Sequence, residues 1–356
     1  MQSEPQSDSS GHVPASHSNT GDRKPPPPRR NWVWRFLLFM LFISIVLNVL
    51  QSARSRYMRY YSTGPTPEER YHSLSPRAKD KIAILTVEGA ILEQNGYIKQ
   101  QIDLIREDEQ VKAIVLRVNS PGGTVTASDY LYHHLTELRK QRKIPLVVSM
   151  GSIAASGAYY ISMAVGNDED TIFAEPTAWT GSIGVIIPHF DLSGLLQSWD
   201  ITEDSIKSGP MKQMGSPTHP MSEEEQAIFQ ELVDESFGRF KQIVMNGRPK
   251  LAADEAKLKQ ATTGQIFTTP QALKLGLVDR EGFLEDAINR AVELAGLQPD
   301  HVRVVQYIRP AGLFGPLLSR ATGPSRGDLA RLLDLTAPRA YYVYTMLPEW
   351  GGIDLP

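Results

Sequence analysis

The chain predicts an α/β fold built on a mainly parallel sheet, and three observations point there. Short runs rich in β-branched residues, "KIAILTVEG" (81–89), "VKAIVLRVNS" (111–120) and "IPLVVSM" (144–150), are each closed by turn residues. Stretches with helical spacing separate them, "YIKQQIDLIREDEQ" and "TASDYLYHHLTELRKQRK", the second placing Leu131, Leu135 and Leu138 on one face. No internal repeat interrupts residues 81–297, so strand, helix, strand, helix, strand reads as βαβ units in one domain.

The elements after that core continue the pattern. "TIFAEP" and "TGSIGVII" predict strand pieces, and "DLSGLLQSW" a short helix. "SEEEQAIFQELVDESFGRFKQIVMNGR" predicts a long amphipathic helix, because Ser222 with Glu225 three positions on forms a capping box. Two further helices are expected around "GLVD" (276–279). Residues 298–356 form a Pro-, Gly- and Arg-rich extension with a Tyr-rich stretch, "AYYVYTMLPEW", whose role the pattern leaves open.

Before the domain the composition changes twice. Residues 1–31 are rich in Ser, Pro, His and charge and end in "RKPPPPRR", which cannot bury enough apolar surface to fold. "WVWRFLLFMLFISIVLNVL", Trp32 to Leu50, follows with one charge, Arg35. At about 1.5 Å per residue it nearly spans a ~30 Å hydrocarbon layer, so an uncleaved transmembrane anchor is expected there. "NVLQSARS" after it makes a weak signal-peptidase site. Arg23, Lys24, Arg29 and Arg30 before the span face Arg54, Arg56 and Arg59 after it, so charge counting leaves the orientation nearly balanced. Residues 51–80 read as a polar stalk with turns at "GPTP" and "LSPRAKD".

The totals exclude several function classes. The chain has 356 residues, 41% hydrophobic, and a formal charge of −3, which gives no basic footprint for nucleic acid. It contains no cysteine, which excludes a disulfide framework, a thiolate zinc site and a cysteine nucleophile. None of the eight histidines has an acidic partner at a telling spacing, and no HExxH pattern occurs, so each reads as a surface or packing residue. No metal and no cofactor is expected. A G-x-S-x-G match at Gly323–Gly327 lacks the buried entering strand that a nucleophile elbow needs.

The remaining chemistry gathers at two strand ends. "NSPGGTVTAS" (119–128) follows the strand "AIVLRV" at its carboxyl end, where open α/β sheets bind ligands, and Gly122 and Gly123 can turn backbone N–H groups outward toward a developing oxyanion. "MGSIAASGAYY" (150–160) sets Ser156 among small residues where a strand gives way to a helix, and the N–H of Ser156 or Gly157 could join the same hole. With no histidine to serve, a lysine is the candidate base, and "SIKSGPMKQMGSP" supplies Lys207 and Lys212. A lysine has an ordinary pKa of ~10.4, so keeping it neutral at pH 7 costs about 4.6 kcal/mol. The base must therefore sit in a dry site without a nearby carboxylate.

Taken in order, "NSPGG", "MGSIAASGAYYISMA", "TGSIGV" and "IKSGPMK" resemble the SppA-like signal peptide peptidases of family S49, over about Lys81 to Gly296. The resemblance implies a ClpP/crotonase-like fold and a Ser/Lys dyad. By position it makes Ser156 the nucleophile, Lys212 rather than Lys207 the general base, and Ser182 the residue that orients the lysine amine. Gly123 and Gly157 would form the oxyanion hole with their backbone N–H groups. It further implies hydrophobic peptide substrates such as signal peptide remnants, a homo-octamer, and a catalytic domain on the extracytoplasmic side of the inner membrane. Ala158 stands where glycine is frequent and Gln213 where an acid is common, and neither change removes a reacting group. Two alternatives from other classes are an inert membrane scaffold of the same fold and a crotonase-type acyl-CoA enzyme. Retention of Ser156, Ser182 and Lys212 together weighs against the first, and the lack of acids near "PGG" against the second.

Overall fold

The computed structural model describes residues 34–48, 66–309 and 341–343. They belong to two units, divided between Met58 and Arg59. In the first unit residues 34–48 form helix α1, whose apolar side chains, Trp34 to Leu47, are mostly exposed. At 1.5 Å per residue α1 is ~22 Å long. Among the described residues no helix is long and apolar enough to cross a membrane. The outer residues of the expected span, 32–33 and 49–50, lie outside the described residues, as does the leader 1–31.

In the second unit a nine-stranded sheet forms the middle layer. It contains β1 (Glu68–Leu74), β2 (Asp80–Glu88), β3 (Val111–Ser120), β5 (Leu146–Ala155), β6 (Ile172–Ala174), β7 (Trp179–Gly181), β8 (Ile266–Thr268), β9 (Arg280–Glu281) and β10 (Val302–Ile308). The order is β1-β10-β2-β3-β5-β6-β9, with β7 continuing beside β5 and β8 beside β7. Only β1–β10 and β7–β8 are antiparallel within this sheet. The mainly parallel α/β expectation therefore holds.

Alternation along the central strands explains the layers. Ile82, Ile84, Ala113 and Val115 face one side and pack on Ala287, Ile288 and Ala291 of α10 (Leu284–Leu294). Leu85, Val87, Ile114 and Leu116 face the other, against Ile102 and Ile105 of α2 (Tyr97–Glu107) and the leucine stripe of α3 (Val125–Arg142). Leu131, Leu135 and Leu138 are fully buried, as their spacing predicts. Each such side chain contributes roughly 1.5–3 kcal/mol relative to exposure. The strands are buried on both faces, which is why they read as continuous apolar runs.

The sheet extends past both boundaries expected for the domain, 81 and 297. β1 lies in the expected stalk and β10 in the expected extension, paired from Glu68↔Ile308 to Leu74↔Arg303. β1 escaped the sequence reading because it is a polar edge strand. Its Glu69, with Asp108, pairs the buried Lys81 ammonium at 2.8 and 2.7 Å and so ties the edge to β2.

Three more elements lead to the site. β4 (Gly122–Thr124) runs into α3, whose first turn is capped by Thr124 Oγ1 accepting from Ala127 N. β5 ends in α4 (Gly157–Ser162). α5 (Ser193–Ser198) is followed by a 3₁₀ turn, Pro210–Gln213, and then by α6 (Glu223–Gly247), which carries the expected capping box of Ser222 and Glu225. α7 (Pro249–Ala252), α8 (Glu255–Ala261) and α9 (Thr269–Leu275) complete the helices of this unit before α10.

Candidate active site

Ser156 lies at the junction of β5 and α4 with φ +56° and ψ −117°, a backbone region that a residue with a Cβ rarely adopts. The strain is held from both sides. Its N–H donates to Gly181 O at 2.7 Å, and its carbonyl accepts from Tyr160 N at 2.9 Å. The hydroxyl oxygen is buried and has no hydrogen-bond partner among the described residues. A buried hydroxyl without a partner and a strained turn each cost free energy, and Ser156 combines the two.

Ser182 follows directly on Gly181, the residue that anchors Ser156. It also has positive φ, +50°, and is buried, with its N–H donating to Gln265 O at 2.8 Å. The tertiary structure thus brings Ser182 beside the Ser156 turn. Parallel pairing of β5 with β7, Ala155↔Gly181, sets that proximity.

The glycines converge on the same place. Gly122 adopts φ +100°, and its N–H donates to Ser120 Oγ at 3.1 Å, which shapes the turn of "NSPGG". Ile91 N donates to Gly122 O at 2.8 Å and Thr124 N to Ile91 O at 2.9 Å. Strand alternation therefore turns the N–H and C=O of Gly123 the opposite way, toward residues 341–343, which pair antiparallel with this strand. A methyl group on Gly157 would stand 3.1 Å from Gly123 N, so the two candidate oxyanion donors are neighbours. The same methyl would overlap Ser128 Oγ, itself buried and without a hydrogen-bond partner among the described residues.

Lys212 is placed differently. It sits on the turn Pro210–Gln213, its N–H donating to Gly209 O at 3.2 Å, with its side chain exposed and making no hydrogen bond or ion pair among the described residues. The single chain does not bring it within hydrogen-bond distance of Ser156 Oγ. Lys207 is exposed too, on a pocket wall shared with Glu203, His219 and Glu225.

His219, read from the sequence as an ordinary surface or packing residue, holds the Lys212 turn. Its Nδ1 faces Pro220 O at 2.8 Å and its Nε2 faces Gln213 O at 3.2 Å. Two carbonyl acceptors are both satisfied only by the doubly protonated ring. The Pro220 carbonyl first, then that of Gln213 and the charges of Glu225 and Glu203, raise its pKa against the opposing effect of burial. No local sequence signal marks this role, because the acceptors are backbone atoms. Among the described residues no group of His, Cys, Asp and Glu could hold a metal ion. The G-x-S-x-G match at 323–327 lies outside the described residues.

Comparison with known proteins identifies the family. The profile of peptidase family S49 matches residues 138–298, and that of the Clp proteases matches residues 69–178, in keeping with a ClpP-like α/β fold. A Synechocystis protein provisionally named a protease is 41% identical over 69% of this chain and 84% of its own length. A provisionally named signal peptide peptidase SppA of Enterococcus faecium is 38% identical over 59% of this chain and 62% of its own. Protease 4 of Haemophilus influenzae is 32% identical over 73% of this chain but only 43% of its own length. The chain therefore belongs to peptidase family S49, as a serine peptidase similar to SppA and protease 4.

Proposed function

We propose that the chain is a membrane-anchored endopeptidase that cleaves hydrophobic peptides, signal peptide remnants among them, through an acyl-enzyme on Ser156. The observation that carries the reading is the buried Ser156 hydroxyl, without a partner among the described residues, on a strained turn that leads into Gly157 close to Gly123. Ser156 Oγ attacks the peptide carbonyl and Lys212 takes its proton. The oxyanion is held by Gly123 and Gly157. The leaving amine departs with the proton from Lys212, and a water activated by the same amine hydrolyses the ester. Ser182 orients the lysine amine.

Because Lys212 is exposed in the single chain, the dry surroundings that its chemistry requires come from a second copy. The segment leading to it supports this. Ile186, Phe190, Leu192, Leu195, Trp199, Ile201 and Ile206 are all exposed, with Phe190 at 74% and Trp199 at 65%. An apolar run of this size marks an interaction surface, here a homo-oligomeric ring, an octamer by family resemblance. Anchoring by residues 32–50 at the inner membrane, with the peptidase domain outside the cytoplasm, completes the proposal.

The test is a pH–rate profile on casein or a signal peptide. Hydrolysis rises with pH as one amine deprotonates, and Ser156→Ala and Lys212→Ala each lower it by at least about 10³-fold. Both variants keeping wild-type rates sinks the assignment. Labelling with a serine-reactive probe in intact membranes, with and without external protease, reads sidedness.

A further inference from the structure

No hydrogen bond or ion pair among the described residues fixes the Lys212 amine, so its position depends on the backbone turn that carries it. That turn is held at the next residue, Gln213. The Gln213 carbonyl accepts from Ser216 N at 3.0 Å and faces His219 Nε2 at 3.2 Å. The side-chain Nε2 of Gln213 donates to Glu203 Oε1. Its Oε1 is buried and has no hydrogen-bond partner among the described residues, so Glu203 alone among them holds the amide. The reverse orientation of the amide would set that oxygen against the carboxylate, two acceptors without a donor.

Glu203 lies between α5 and the Lys212 turn, and its carboxylate also accepts from Ser205 Oγ at 2.5 Å and from Thr218 Oγ1. Thr218 Oγ1 is in turn 2.6 Å from Ser216 Oγ. One carboxylate thus joins the chain before Lys212 to the chain after it, and closes residues 203–218 into a loop that carries the amine. The Ser205 hydroxyl first, then that of Thr218, lowers the Glu203 pKa, so the group is ionised wherever a lysine can act as a base. Its three donors also occupy it. Glu203 therefore holds the turn without pairing the Lys212 ammonium.

We propose that Glu203 is a positioning residue for the Lys212 amine, acting through the Gln213 side chain, and that residue 213 must be an amide for Glu203 to act. The proposal rests on Lys212 as the general base of Ser156. A lysine carries its amine on a flexible four-carbon stem, and a base works only within a narrow range of positions. Fixing the neighbouring residue by both its carbonyl and its side chain leaves the stem as the only freedom to be lost. A carboxylate at 213 would meet Glu203 as a like charge and open the loop. Covered by a second copy, the charged hydrogen bond from Gln213 to Glu203 strengthens as water leaves it.

The experiment follows peptide hydrolysis by the full-length chain across pH, so that the limiting kcat is read apart from the apparent pKa of the base. Glu203→Ala and Gln213→Glu each lower the limiting kcat at least about tenfold and leave KM within about twofold. Glu203→Gln keeps an acceptor for the Gln213 amide and recovers most of what Glu203→Ala loses. Combining Glu203→Gln with Gln213→Glu exchanges donor and acceptor and restores kcat to within about threefold of wild type, which general damage to the loop would not allow. Wild-type kcat in Glu203→Ala overturns the proposal, as does an exchanged pair that stays as slow as Gln213→Glu, or a loss that appears in KM alone. Lys212→Ala separates the two readings. If it is inactive, those results strike the role of Glu203 and leave the base standing, whereas wild-type hydrolysis by Lys212→Ala removes the base and the proposal with it.

Discussion

At Ser156 the backbone leaves the β region for φ +56°, and the surrounding hydrogen bonds to Gly181 and Tyr160 keep it there. The small residues around it matter because of what stands close. A Cβ at Gly123 would overlap Ile91 O, a backbone atom that cannot swing away, whereas one at Gly157 would overlap Ser128 Oγ, a side chain that can. Gly157→Ala is therefore expected to fold, at a cost of about 1–3 kcal/mol. The methyl group crowds the proposed oxyanion donors, so kcat is expected to fall by about 10²-fold or more. Adding Ser128→Ala recovers stability in a denaturant titration and leaves kcat low. Recovery of kcat in that double variant would show that crowding at Gly123 is not what the methyl group does. At this scale "MGSIAASGAYY" was legible, since small residues around a serine at a strand end suggest close backbone approach. The exposure of Lys212 was not legible, because burial depends on everything packed around a residue.

Among the elements, α6 shows local chemistry working as its residues predict. Ser222 Oγ accepts from Glu225 N at 3.2 Å, and Glu225 accepts back from Ser222 N at 2.8 Å. Ser222→Ala should cost about 1 kcal/mol, read as a lower denaturation midpoint with an unchanged slope. The turn before α6 behaves differently. His219 faces two carbonyls, with Glu225 at 3.9 Å, Glu203 adding negative charge and Lys207 on the same pocket wall. Its folded-state pKa is raised, first by the Pro220 carbonyl. The stabilisation is thus complete below the ordinary histidine value near ~6.5 and is lost as pH rises through the higher folded value. Amide protection across residues 209–216, corrected for intrinsic exchange rates, should fall between pH 6 and pH 8.5, and His219→Gln should remove that dependence. Equal protection at both pH values would mean that the ring does not hold the turn. The same scale explains why β1 reads as stalk: an edge strand with solvent on one side carries no apolar run to recognise.

At the scale of the molecule, the proposed homo-oligomer would bury both the exposed apolar segment from Ile186 to Ile206 and the exposed Lys212. Phe190→Asp with Trp199→Asp should shift the assembly toward monomer in light scattering and reduce hydrolysis at least about tenfold, with the circular dichroism of the chain unchanged. Hydrolysis that survives in a monomeric variant would show that Lys212 needs no partner. The sequence alone determined the α/β class, the leucine stripe of α3, the capping box of α6 and the strand ends at Gly122 and Ser156, because each depends on residues within a few positions of one another. Only the tertiary structure set Ser182 beside Ser156 through β7, carried the sheet into β1 and β10, and laid Tyr342 along β4. Those contacts join segments tens to hundreds of positions apart, where period and propensity carry no information and backbone pairing and packing alone select the partner.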